Sequence, residues 1–261
     1  MNIVLFLNGS LGIKILEYFS GLTDHKVIAI FLNSDKKRSP DYMDEVKRVI
    51  KGKNPWPLVI SWVEDQSQIE NDQIDLNLPT IGVSALFGHV LPEEFIARFS
   101  GGILNLHPSI LPIGRGADPI PWSIIDKNVQ GISIHLINQG LDTGDIVFQK
   151  EISSAINMNS GDIYDIAIAE LYTEFARCFP KWVNGEITPY PQEGTVVSSH
   201  KSSQLNQMRI FQEDEIGTFG DFVRRLQATT FSNAKLPGFK DNMGNIWDVT
   251  FSLSNPQRNK P

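Results

Sequence analysis

The chain has 261 residues, enough for one large domain or one main domain with a small appendage. Its 41% hydrophobic and 20% charged content are ordinary for a soluble globular enzyme. A net charge of −7 argues against a large polyanion as partner, and neither part of the chain is basic: Lys and Arg number 15 against 22 Asp and Glu in residues 1–184, and 8 against 8 in 185–261.

Met1–Leu7 (MNIVLFL) lacks the basic n-region and cleavage site of a signal peptide, and Asn2–Leu7 reads as a buried first strand. The segment Asn8-Gly9-Ser10-Leu11-Gly12 reads as a tight turn, neither GxGxxG nor a P-loop, at a place where doubly wound folds bind phosphate. A helix follows with Ile13, Leu16 and Phe19 on one face. Lys26–Leu32 and Pro57–Trp62 are the next strands, with a solvated helix at Asp41–Lys53 between them, and Ile81–Leu86 and Gly102–Leu106 are two more. Near-continuous apolar strands between helices predict an α/β fold: a doubly wound, mostly parallel sheet with helices on both faces.

Asp118–Lys127 reads as a helix and Gly131–Ile137 as an alternating, half-buried strand with Asp145–Ile152 beside it. A long helix from Ser160, as N-cap, to Val183 stops at Asn184-Gly185. It carries Cys178, the only cysteine, so no intrachain disulfide or cysteine-based zinc site can form, which suits the cytoplasm. Residues 1–185 are thus expected to form the main domain and 186–194, with Pro189 and Pro191, a linker. A small α+β appendage at 195–253 would hold a helix, Gly217–Thr229, and a β-hairpin joining Leu236–Lys240 to Asn245–Phe251 across Asp241–Gly244; residues 254–261 read as a flexible tail. No apolar run approaches the roughly 20 residues that span a bilayer, so no membrane partner is expected.

The densest cluster of unusual residues lies between Gly101 and Ile146. Asn105 and His107, two apart at a strand's carboxyl end, project to the same side, on the edge where open α/β sheets place ligands. An amide and an imidazole held side by side suit a carbonyl that becomes an oxyanion when attacked. A loop carboxylate such as Asp142 could accept a proton from an attacking amine, directly or through water. His135 reads as core or supporting rather than catalytic, and His89 alone as a surface or capping residue.

This constellation resembles the formyltransferase catalytic-domain family, which includes glycinamide ribonucleotide, methionyl-tRNA and nucleotide-sugar formyltransferases. The match is carried by Asn105-Leu106-His107, the SILPIGRG segment (109–116), Pro119 and GLDTGDI (140–146), and it covers residues 78–152 strongly. The resemblance implies that Asn105 and His107 polarise the formyl carbonyl of N10-formyltetrahydrofolate and that Asp142 orients His107 or relays the proton. It assigns one wall of a pterin pocket to Leu86, Phe87, Gly88, His89, Val90 and Leu91, and the other to Ile137, Asn138, Gly140 and Leu141. Asn8, Gly9, Ser10, Pro108, Ser109, Arg115 and Gly116 are the expected acceptor-binding positions, with a tight strand-to-helix turn as the other reading of Asn8–Ser10 and a loop turn as that of Arg115-Gly116. No metal is called for.

The second half has to decide the acceptor. Methionyl-tRNA formyltransferases share the LDTGDI motif but carry a substantial β-barrel domain after the linker. Here only residues 195–261 follow, with balanced charge and no basic stripe, so no nucleic acid is expected as partner. The appendage looks more like that of the nucleotide-sugar N-formyltransferases of surface-polysaccharide synthesis. Phe219, Phe222, Leu226, Phe231, Phe239 and Trp247 would give it a small core or a homodimer surface. The expected acceptor is the amine of a nucleotide-linked amino-deoxysugar such as dTDP-4-amino-4,6-dideoxyglucose. The alternatives are a methionyl-tRNA formyltransferase-like enzyme, formyl-folate hydrolysis, and a folate- or nucleotide-binding module without catalysis.

Overall fold

The computed structural model describes residues 1–33, 40–51, 59–64, 66–69, 74–194, 199–200, 202–231 and 236–254. In chain order, β1 (Asn2–Leu7) leads into α1 (Gly9–Ser20), followed by β2 (Lys26–Asn33), α2 (Pro40–Ile50) and β3 (Val59–Val63). A 3-10 turn at Gln66–Ile69 precedes β4 (Thr80–Ala85), α3 (Glu93–Ile96) and β5 (Ile103–His107). Next come β6 (Arg115–Gly116), α4 (Pro119–Asp126), β7 (Gly131–Leu136), β8 (Ile146–Glu151) and α5 (Ser160–Val183). The remainder holds β9 (Ser199–His200), α6 (Ser202–Met208), β10 (Ile210–Gln212), α7 (Phe219–Thr229), β11 (Gly238–Lys240) and β12 (Ile246–Asp248).

Seven strands form the main sheet in the order β3-β2-β1-β4-β5-β7-β8. β1 pairs in parallel with both β2 and β4, and β5 continues parallel to β4, whereas β7 runs antiparallel to β5. Strand order reverses between β1 and β4, so the carboxyl ends of β1, β4 and β5 surround the switch point where such sheets leave a ligand crevice. Adjacent residues of β1 serve opposite faces. Phe6 stacks on Phe31 at 5.1 Å and meets Phe95 of α3 edge-on at 6.1 Å. Leu7 faces α1, whose Gly12 approaches so closely that an added Cβ would lie 3.1 Å from the Leu7 Cβ. On that side Phe19 of α1 packs edge-on against Phe175 and Phe179 of α5. The doubly wound, mostly parallel architecture expected from the sequence is the one observed.

The expected turn at Asn8–Gly12 is shorter than read: the helix begins at Gly9 and contains Ser10, Leu11 and Gly12. β7 is buried at Gly131–His135 rather than half-buried, and its polar residues find internal partners. One of these, Ser133 Oγ, accepts from Gln149 Nε2 at 2.9 Å. Ser160 is not the N-cap of α5. Asn159 Oδ1 accepts from the amides of Gly161 and Asp162 while Asp162 reaches back to the Asn159 amide, and Ser160 Oγ donates to Ala228 O instead. Gly185 at φ 70 ends α5 as expected, its amide bonded to Trp182 O and that of Glu186 to Lys181 O.

The chain packs as two compact units that interleave along the sequence. One holds Met1–His107, Ser133–Gln149 and Ile168–Glu193, and the other Pro108–Ile132, Lys150–Ala167 and Gly194–Pro261. In the second unit the expected hairpin forms between β11 and β12, with Phe239 opposite Trp247, and gains β10 as a parallel third strand. Phe211 of β10 packs against Phe222 of α7, and the Arg225 guanidinium lies 4.1 Å over its ring, whereas Phe219 and Trp247 are exposed. Of the expected elements, Gly52-Lys53, Pro57-Leu58 and the tail from 255 onward lie outside the described residues.

Candidate active site

Asn105 and His107 close β5 on one side of the strand, and Asp142 sits in the loop between β7 and β8. All three belong to the first unit. The Asp142 carboxylate reaches Asn105 Nδ2 at 3.4 Å through Oδ1 and His107 Nδ1 at 3.8 Å through Oδ2. His107 is 6% exposed, so this charge and its partners sit largely out of water, where each interaction is stronger than at a surface. Asp142 itself is held at φ 52, a left-handed conformation that Asp tolerates better than most residues with a Cβ.

His135 belongs to the same cluster. Its Nε2 lies 3.0 Å from Asn105 Nδ2 and 3.5 Å from Asp142 Oδ1, and its ring meets His107 edge-on at 6.0 Å. Its Nδ1 is 2.8 Å from Leu136 O, which can only accept, so Nδ1 carries the proton and Nε2 accepts from the Asn105 amide. Register places it there: β5 and β7 pair antiparallel with Asn105 directly opposite His135, a pairing the sequence alone does not signal.

The loop that presents Asp142 is built from short-range bonds. Asn138 Oδ1 accepts from the Gly140 amide at 3.1 Å and from Thr143 Oγ1 at 2.6 Å. Gly144 passes so near β7 that an added Cβ would lie 1.9 Å from Leu136 O. The two segments assigned to a pterin pocket are brought together. Phe87 and Ile137 pack on the same aromatic cluster around Phe6 and Phe95, with Leu91 buried in it, and Gln139 Nε2 bonds Glu93 Oε2 at 2.7 Å across them. Leu86 has φ 55, the Gly88 amide bonds Asn33 Oδ1, and His89 rests tilted against Phe87. Val90 and Leu141 are exposed, as are Asn138 and Gly140.

The expected acceptor positions divide. Asn8, Gly9 and Ser10 lie in the first unit at the start of α1, with Gly9 at φ 60 and Asn8 Oδ1 buried without a hydrogen bond among the described residues. Pro108, Ser109, Arg115 and Gly116 lie in the second. There Pro108 and Ser109 are buried, and Ser109 Oγ is within bonding distance of Ile113 O and Gly114 O. Arg115 and Gly116 form β6, paired with Ser199 and His200. Among the described residues no group of three or more His, Cys, Asp or Glu is placed to hold a metal, and no helix is long and apolar enough to cross a membrane.

A family model described as formyl transferase matches residues 1–171. A methionyl-tRNA formyltransferase of Clostridium perfringens is 37% identical over 115 residues, 44% of this chain; the match spans only 37% of that relative's length. A 4-N formyltransferase structure from Francisella tularensis superposes with a TM-score of 0.81 at 21% identity, covering 97% of this chain and 98% of that one. The N-formyltransferase of Helicobacter canadensis, solved with folinic acid and dTDP-3-aminofucose, gives 0.66 at 18% identity over 89% and 81%.

Proposed function

This chain belongs to the formyl transferase family, and from that premise we propose that it moves a formyl group from N10-formyltetrahydrofolate to the amine of a nucleotide-linked amino-deoxysugar, such as dTDP-4-amino-4,6-dideoxyglucose, for surface-polysaccharide synthesis. The observation that carries the chemistry is the convergence of Asn105, His107 and Asp142 at the carboxyl edge of the sheet. The amine attacks the formyl carbon, and its carbonyl oxygen becomes an oxyanion that Asn105 Nδ2 and the His107 ring stabilise. Asp142 takes the proton shed by the amine, directly or through water. The tetrahedral centre then collapses, the bond to folate N10 breaks, and the proton returns to that nitrogen as the formamide forms. Phe87, Leu91 and Ile137 supply an apolar wall that fits a pterin face, with backbone groups of 86–91 and 137–141 for its edge.

Likeness of fold and the balance of charge support the sugar acceptor. The match to the tRNA enzyme spans only 37% of that enzyme's length, whereas the Francisella tularensis fold covers 97% of this chain and 98% of that one. The balanced charge of 185–261 offers no stripe for a tRNA. The higher sequence identity to methionyl-tRNA formyltransferases favours that enzyme as the second reading. The exposed Ile246 and Trp247 on β12 support a homodimer through the C-terminal region. We place the reaction in the cytoplasm. The test is formyl transfer from formyl-folate to a panel of dTDP-, UDP- and GDP-amino-deoxysugars beside initiator methionyl-tRNA, with hydrolysis in water as the blank. Formylation of a sugar amine is expected; formylation of the tRNA alone would establish the second reading, and hydrolysis unaffected by any acceptor would overturn both.

A further inference from the structure

The segment 186–194 reads in the sequence as a plain proline-flanked connection, yet its residues 186–193 pack within the same unit as Asn105, His107 and Asp142. Tyr190 exchanges both backbone hydrogen bonds with Ile146, the first residue of β8, at 2.7 and 3.0 Å. Two residues on, Gln192 Nε2 donates to Asp142 O and to Gly144 O, each at 2.8 Å. These carbonyls flank the point at which the chain leaves the left-handed conformation of residue 142 and squeezes past Leu136 at Gly144. From the opposite side, the Leu136 amide bonds Asp145 O at 2.9 Å. The loop is therefore gripped between β7 and the segment after α5.

We infer that Gln192 is a positioning residue: its side-chain amide holds the backbone of Asp142 so that the carboxylate faces Asn105, His107 and His135. The inference rests on the proposed role of Asp142 as proton acceptor. A primary amide suits the task because it supplies two N–H donors from one nitrogen, one for each carbonyl. Its own flexibility is small once both bonds form. A carboxylate at the same place would set negative oxygen against two carbonyl oxygens and push the loop away. Asp142 reaches its partners at 3.4 to 3.8 Å, distances with little slack, so a small displacement of its backbone moves the carboxylate out of range.

The experiment uses the full chain with Gln192→Ala, which removes the donor, and Gln192→Glu, which keeps the shape and reverses the polarity. Formyl-folate hydrolysis and transfer to an amino-sugar nucleotide are both measured. In each variant kcat is expected to fall by roughly 10- to 10²-fold, the scale of a misplaced catalytic group, while affinity for a non-reactive folate analogue and the unfolding midpoint stay near wild type. The pH–rate profile separates positioning from bulk packing. Once protonated, the introduced carboxyl regains one donor, so Gln192→Glu should recover toward acid relative to wild type, and Gln192→Ala should not. Without substrate, the carbonyl 13C resonances of Asp142 and Gly144 should shift in Gln192→Ala. Wild-type kcat in both variants would overturn the role of Gln192 alone, as would parallel loss of kcat, folate affinity and stability with no acid recovery. A wild-type protein that neither hydrolyses nor transfers the formyl group would overturn the proposed function, and the role of Gln192 with it.

Discussion

The amide of Asn105 and the imidazole of His135 lie 3.0 Å apart, Nδ2 to Nε2, on antiparallel strands where the two residues stand directly opposite each other. The contact orders a chain of decisions. Leu136 O fixes the proton on His135 Nδ1, the remaining ring nitrogen must accept, and Asn105 must therefore turn its NH2 group inward. One N–H is thereby committed to His135, and the second, on a nitrogen 3.4 Å from Asp142 Oδ1, is the one left to serve an oxyanion.

Two substitutions at His135 separate its two nitrogens. His135→Gln places an acceptor where Nε2 stood and should keep turnover within a few-fold. His135→Asn keeps a polar group near Leu136 O but withdraws the acceptor from Asn105, and turnover should fall roughly 10-fold or more. Steady-state rates of both variants, with folding checked by circular dichroism, decide the matter. Equal rates in the two would show that His135 does not orient the amide.

Asn105→Ala and His107→Ala should each lower turnover by roughly 10²-fold or more, since one oxyanion donor contributes about 3 kcal/mol to the transition state. Asp142→Asn should lower turnover while affinity for a folate analogue stays within a few-fold. The fold should survive, because none of the three belongs to the aromatic cluster around Phe6. Rate measurements beside calorimetric binding check this, and near-normal turnover in Asn105→Ala and His107→Ala together would remove the mechanism.

Stability and catalysis should part company at two other positions. Phe6 is fully buried and touches Phe31, Phe87, Phe95 and Phe99, so Phe6→Ala should destabilise the protein by about 3–5 kcal/mol in a denaturant titration. Gly144→Ala forces a Cβ against the backbone carbonyl of Leu136. The loop must shift, at a cost of roughly 1–3 kcal/mol, and the larger loss should be in turnover because Asp142 moves with it.

Long apolar strands and their turns made the sheet readable from β1 onward, since alternate residues such as Phe6 and Leu7 each needed a covered face. The pair Asn105 and His107 was equally legible, because spacing alone puts two side chains on one side of a strand end. His135 was harder. Its place in the cluster depends on β7 running antiparallel to β5, and pairing direction leaves no local trace in the residues. Ser160 misled for a related reason: Ser and Asn both cap helices, and the preference of Ser160 for Ala228 O is a tertiary fact. The short strands β9 and β10 fall below the length at which periodicity can be seen. Gln192 looked like linker polarity because its partners, the carbonyls of Asp142 and Gly144, lie 48 to 50 positions earlier in the chain.

Acid should loosen the C-terminal hairpin. Asp241 opens the turn between β11 and β12, and its carboxylate accepts from Trp247 Nε1 and Asn245 Nδ2, each at 3.0 Å. It also accepts from the amides of Asn245 and Met243. The Trp247 bond chiefly, with those of Asn245 and Met243, holds the carboxyl down to about 2 from an ordinary value of 3.8. A carboxyl whose folded value is depressed adds stability that is fully present above its unfolded value and disappears as pH falls through the folded one. The hairpin should therefore hold its geometry above about pH 4 and loosen progressively toward pH 2. The group is exposed, so salt and solvent temper the effect, and the change should be local to the hairpin. The Trp247 indole N–H is the natural reporter: its proton resonance should move toward the free-indole position between about pH 4 and 2, following the titration of Asp241. Asp241→Asn retains a single acceptor oxygen and no charge, so in that variant the indole resonance should start partly shifted and stay flat across the same range. A Trp247 resonance equally insensitive to pH in wild type would show that the carboxylate does not organise the turn.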